Sequence, residues 1–195
     1  MRPIPFLPVF LLAASFAAAQ QQPNYPDAPP PPPNFQQQLA TLADQPATHS
    51  GVVFDRSMLG IAQGVLEANG MDGQHAAAAL HAITIDNYRY ERPAFYTPEV
   101  MLALIDGYHN AGWKHLVNAN QSPASSAQPS HSITDLWLHF SGADIDGLTV
   151  LTRAPRMMNV VQVACDLRPL DLMHLGGHFG IPKVDPNAIM VPAPR

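Results

Sequence analysis

Three alternating runs, separated by turns of a few residues each, set the tightest limit on what this chain can fold into. DLWLHFS (135–141), GLTVLTR (147–153) and MNVVQVACD (158–166) follow one another across Gly142–Asp146 and Ala154–Arg156. Within them the apolar residues recur at every second position: Leu136, Leu138 and Phe140, then Leu148 and Val150, then Val161, Val163 and Cys165. A period of two places each set on one face of a strand. Connections this short cannot carry a crossover, so the strands must form an antiparallel meander.

The flanking segments supply helices and further strands. Phe54, Met58, Ile61, Ala62 and Val65 recur at helical spacing, with Gly70 as a stop. Ala76–Ala79 reads as a short helix leading into AITIDNYRYE (82–91), whose β-branched and aromatic residues favour a strand. A helix then opens with Thr97 as cap, Pro98 at its first position and Glu99 at the positive end of its dipole. Met101, Leu104, Ile105 and Tyr108 form its apolar stripe, and Gly112 ends it. Trp113–Asn118 reads as a strand, residues 120–132 as a loop, and a last helix runs from Pro169 to near Gly180. These elements predict an α+β fold of two layers, a largely antiparallel sheet of four to five strands packed against helices.

The ends have a different character. Residues 1–19 carry one charge, Arg2, then an apolar run closing on Ala17, Ala18 and Ala19, the pattern of a secretory signal peptide cleaved after Ala19. The run is shorter than the roughly 20 apolar residues a transmembrane helix needs and is broken by Pro5 and Pro8. The expectation is an exported chain, periplasmic or secreted, with no transmembrane segment after cleavage. Residues 20–49, including the five prolines Pro29 to Pro33, read as a Pro/Gln-rich linker. Residues 50–183 read as one α+β domain and 184–195 as a flexible tail.

Charge and cysteine content exclude several function classes. Removing residues 1–19 takes away one arginine and no acid, so the net charge moves from −5 to −6. An acidic chain lacks the basic footprint that phosphate backbones require, which argues against nucleic acid as a partner. Cys165 is the single cysteine, so stability must come from an apolar core rather than an internal disulfide.

With these elements in order, the chain resembles a family. An exported sequence with ITIDNYRYE, a Pro-started helix, GWKHLV, a hairpin containing DGLTVLTRAP, the strand NVVQVACDL and a last helix followed by GIPKV is similar to the small exported bacterial proteins of the domain of unknown function 4252 family. The resemblance covers about residues 52–183 and rests on structural motifs. It implies an envelope or secreted protein. Lipid-anchored members carry a cysteine after the apolar stretch that this chain lacks, and the resemblance transfers no functional residues.

Two candidate sites remain. Asp171, His174 and His178 lie at i, i+3 and i+7, so on one helix they share a stripe that could hold Zn²⁺ with an open position. Against this, Leu172, Leu175 and Phe179 already supply the core stripe, Gly176 and Gly177 weaken the helix, and no H-E-x-x-H pattern is present. The second candidate is the sheet face opposite the alternating core set, where Trp137, His139, Leu151, Arg153, Val160 and Gln162 fall. Trp, His and Arg are common interface anchors, so Trp137, His139 and Arg153 are the expected contacts for a partner or ligand. GADIDG (142–147) fits a hairpin turn better than a calcium loop, since no glutamate follows to complete the ligand set. There is no G-x-S-x-G elbow for nucleophilic catalysis, and inward-facing Cys165 reads as a small core hydrophobe. The reading is an exported, non-enzymatic binding or regulatory module of the cell envelope that needs no cofactor and takes an envelope protein or a small ligand as partner. The alternative is a metal-dependent enzyme using Asp171, His174 and His178.

Overall fold

The structure, a computed structural model, describes residues 29–60, 78–117, 127–178, 180–183 and 189–191. The expected signal peptide, the expected helical stripe beyond Gly60, Ala76 and Ala77 of the expected short helix, and Phe179 lie outside these residues.

The elements in chain order are α1 (Phe35–Leu42), β1 (Thr48–Phe54), β2 (Leu80–Arg89), α2 (Pro98–Asn110), β3 (Lys114–Val117), β4 (Ile133–Ser141), β5 (Asp144–Ala154), β6 (Met157–Leu167), α3 (Pro169–Leu175) and β7 (Ile189–Val191). Residues 56–60 are also helical. The strands form one antiparallel sheet in the order β1-β2-β6-β5-β4-β3-β7. The expected meander is present as β4-β5-β6, in which Val150 pairs with Leu136 on one side and with Val161 on the other.

The expected sheet of four to five strands packed against helices is corrected by this topology. Six strands of four residues or more, with three-residue β7 at one edge, make the fold predominantly sheet, and its helices are few and short. Two segments account for the difference. THSGVVF, whose Phe54 fits a helical stripe with Met58, instead forms β1 and pairs in register with β2 from Thr48–Arg89 to Phe54–Ile83. Ile189–Val191, in the expected tail, pairs with β3. In both cases the partner strand supplies the backbone hydrogen bonds, so cross-strand pairing outweighs local preference.

The residues assigned to a linker also enter the fold. Phe35, Leu39 and Leu42 fall at helical spacing on α1, and all three are buried. The proline run ahead of them is seated on the domain: Pro32 is buried, and its Cβ lies against Gly107 of α2. Pro29 covers Gly147 so closely that a side chain there would collide with it and come within 2.8 Å of Trp113 Cη2. A stiff polyproline segment has little conformational entropy to lose on docking, which favours this seat.

Each face of the sheet buries its own core. On the first, Leu136, Leu138, Leu148, Val150, Val161, Val163 and Cys165 pack with Leu59, with Leu172 and Leu175 of α3, and with Ile181. On the second, Tyr88, Trp137, Leu151, Met158 and Val160 pack beneath Phe35, Leu39 and Leu42 of α1 and Met101, Leu104, Ile105 and Tyr108 of α2. Each fully buried large apolar side chain contributes about 1.5–3 kcal/mol relative to exposure. A helix over a sheet face needs such a stripe, and α1 and α2 each carry one.

Candidate ligand-binding groove

The second face was expected to present Trp137, His139 and Arg153 to a partner. Helices α1 and α2 cover it. Trp137 is 1% exposed and sits between two rings, stacked on Tyr108 (centroids 4.6 Å apart, interplanar angle 11°) and on His115 (4.8 Å, 13°). Arg153 is also 1% exposed; its Nη2 donates to Asp135 Oδ2 at 3.0 Å, and its guanidinium lies 5.8 Å from the Tyr96 ring centre. His115 Nε2 lies 3.2 Å from the other carboxylate oxygen of Asp135. Trp137 and Arg153 are therefore interior supports. A period of two identifies a second face but not whether a distant helix covers it.

His139 is partly accessible. Its Nδ1 is 2.6 Å from Asp146 Oδ1, and its ring lies at 5.3 Å from that of Trp113. Asp146, expected in a turn, belongs to β5, because the turn itself is only Gly142-Ala143.

The three candidate metal ligands are not brought together. Helix α3 ends at Leu175 with Gly176 as its cap, so His178 falls outside it and the shared i, i+3, i+7 stripe does not form. The expected run to Gly180 is corrected here: Gly177 is in the left-handed region at φ 91°, which ends helical hydrogen bonding. Asp171 is occupied by Arg168, with Nε–Oδ2 at 2.8 Å and Nη2–Oδ1 at 2.9 Å, and its Oδ2 also accepts from the Arg168 backbone N–H. Those hydrogen bonds hold its carboxyl below the usual value. His174 and His178 are exposed. Among the described residues, no group of three His, Cys, Asp or Glu side chains is placed to hold a metal ion.

A site that the sequence reading missed lies at the opposite edge of the second face. β1 is an edge strand, and its alternation turns His49, Gly51 and Val53 toward the same face as Thr84, Asp86 and Tyr88 of β2, because His49 pairs with Tyr88 and Gly51 with Asp86. α1 packs over Tyr88, and its Gln36, Leu39 and Ala40 face the same space as His49, Gly51 and Asp86. Between it and the two strands lies a groove of about 850 Å³ lined by Gln36, Gln45, His49, Gly51, Asp86 and Tyr88 among others.

In its lining, His49 Nε2 lies 2.8 Å from Asp86 Oδ1, with side-chain exposures of 38% and 12%. The imidazole stacks on Tyr88 at 4.6 Å with an interplanar angle of 24°. Burial, and then the Asp86 charge, push the Tyr88 phenol up to about 12, so it is a neutral hydrogen-bond donor at physiological pH. A Cβ at Gly51 would stand 2.8 Å from Asp86 Oδ1, so a side chain there would shift the carboxylate that meets His49.

This arrangement suits binding better than acid–base catalysis. When an imidazole activates a nucleophile, a carboxylate holds Nδ1 and the outer Nε2 faces the reacting group. Here Asp86 takes the outer nitrogen and leaves Nδ1, the one nearer the histidine's own main chain. Ser50, adjacent in sequence, alternates to the other face of the strand. The groove thus offers a flat aromatic and imidazole surface, one recessed carboxylate and two amides. A signal was present in the sequence: His49 and Asp86 each sit in a β-favouring run. Their separation of 37 positions, however, hides their pairing.

Among the described residues, no helix is long and apolar enough to cross a membrane. No family model, curated protein or solved structure matches the chain.

Proposed function

We propose that this chain is an exported, non-enzymatic binding module of the cell envelope, of the kind the domain of unknown function 4252 resemblance implies, and that its ligand site is the groove between α1 and β1–β2. The observation that carries this reading is the contact of 2.8 Å between exposed His49 and the largely buried Asp86 carboxylate in the lining of a groove of about 850 Å³. A pocket with a few convergent polar groups on an apolar, aromatic wall is the usual form of a binding site. Among the described residues the lining includes the Asp86 carboxylate and no lysine or arginine, so the groove favours a planar ligand group bearing a positive charge or N–H donors.

The test is NMR observation of the His49 ring in the mature chain during titration with benzamidine and phenylguanidine, which are planar cations. Both should shift the His49 resonance, and isosteric Asp86→Asn should remove the response without unfolding the domain. No response from either probe, or an equal response in the variant, would refute the assignment. Sequencing the N-terminus of exported protein checks the cleavage after Ala19.

A further inference from the structure

The wall of the groove formed by β1 is itself a binding element. β1 is the terminal strand of the sheet, so among the described residues one row of its backbone N–H and C=O groups has no strand partner. Natural sheets protect such edges with lysine, proline, bulges, short strands or a covering element. THSGVVF carries no proline, lysine or acid, runs for 7 residues, pairs with β2 without a register shift, and is exposed from Thr48 to Val52. An exposed strand edge of this kind is where extended peptides add to a sheet.

The two sides of β1 specify what such a peptide must carry. The groove side presents His49, Gly51 and the recessed Asp86 carboxylate, with Gln36 and Gln45 beyond, and no lysine or arginine among the described residues of the lining. The opposite side presents Val52, a large apolar residue 41% exposed. Absence of a side chain at Gly51 opens the path from the strand edge to Asp86.

We infer that β1 docks an extended segment of a partner protein by antiparallel or parallel strand addition. In this segment a lysine or arginine enters the groove toward Asp86, and β-branched residues at the alternate positions cover Val52. Resting on the groove reading above, this assigns the partner as a basic, alternating peptide. Backbone hydrogen bonds would supply affinity and the Asp86 pocket would supply selectivity.

The test uses the mature full-length chain and capped heptapeptides of alternating valine and threonine with a central lysine or glutamate. Binding is measured by anisotropy of a labelled probe and by the His49 ring resonance. The lysine probe should bind with Kd below about 1 mM and at least about tenfold more tightly than the glutamate probe, and Asp86→Asn should abolish that preference. N-methylation at alternate peptide positions should abolish binding in one phase and spare it in the other, because only every second N–H of an added strand faces the sheet.

Equal binding of the two N-methylated probes, with His49 still perturbed, would overturn strand addition and leave the groove reading intact. Absence of binding would overturn the inference. If benzamidine and phenylguanidine also leave His49 unmoved, the groove reading falls with it. Concentration-dependent dimerisation lost in Val52→Lys, with no peptide binding, would also overturn it and assign the edge to a second copy of the chain.

Discussion

Removing one member of the buried Asp135–Arg153 pair should cost much more than removing both. Both residues are 1% exposed, Arg153 Nη2 donates to Asp135 Oδ2 at 3.0 Å, and the second carboxylate oxygen contacts His115 at 3.2 Å. Arg153→Met keeps much of the side-chain volume but leaves the carboxylate with only His115 beside it. Asp135→Leu leaves a guanidinium enclosed beneath the Tyr96 ring. An uncompensated buried charge costs about 3–5 kcal/mol, whereas exchanging a whole pair for apolar residues of similar size is often neutral or stabilising. Each single variant should therefore lose about 3–5 kcal/mol, and the double variant should fall within about 1–2 kcal/mol of the parent.

The coupling is read from urea unfolding followed by the fluorescence of Trp113 and Trp137, both buried. In thermal unfolding, each single variant should lower Tm by about 10–15 °C for a domain of this size. Strictly additive single effects, or single losses under about 1 kcal/mol, would refute the reasoning, because either result means that water or another group solvates these charges.

Other consequences can be measured with the same protein. Trp137→Ala, which removes a ring stacked on both Tyr108 and His115, should destabilise by about 3–5 kcal/mol, and a variant of unchanged stability would mean that the face is open. Burial pushes the Tyr88 and Tyr96 phenols up to about 12, and those of Tyr90 and Tyr108 further still. The folded state therefore holds these protons more tightly than the unfolded chain, so their stabilisation is full below pH about 10 and is lost as the pH rises toward 12. Tyrosinate absorbance should accordingly appear together with loss of circular dichroism; four tyrosines titrating near pH 10 in a folded chain would contradict the burial. Burial likewise raises the Cys165 thiol to about 12, so an aromatic disulfide reagent should react at neutral pH only once the chain is unfolded. Zinc should leave Tm unchanged, and a rise in Tm abolished by His174→Ala would reinstate a metal site at α3.

Much of the local structure can be read from neighbouring residues. The β4-β5-β6 meander, β2 and the Pro98-started helix depend on periods and turns spanning fewer than a dozen positions, and these are properties of contiguous sequence, although Thr97 makes no side-chain capping bond. What the sequence reading missed was set by partners far along the chain. THSGVVF becomes a strand because β2 offers it a complete ladder, and α1 forms because its Phe35, Leu39 and Leu42 have the second sheet face to bury against. That burial is why Trp137 and Arg153, correctly placed on one face by alternation, became interior supports.

The sequence by itself determined the acidic charge, the single buried thiol, the antiparallel meander and the alternation that sorts residues between two faces. Tertiary structure alone decided which face is covered, where the cover ends and what the uncovered edge displays. His49 and Asp86 are 37 residues apart in sequence. Their 2.8 Å contact exists because strand register places β1 against β2, and the groove exists because α1 packs over the neighbouring part of the same face and supplies its other wall. Backbone pairing and helix packing act across the whole domain, so a window of a few residues cannot contain them.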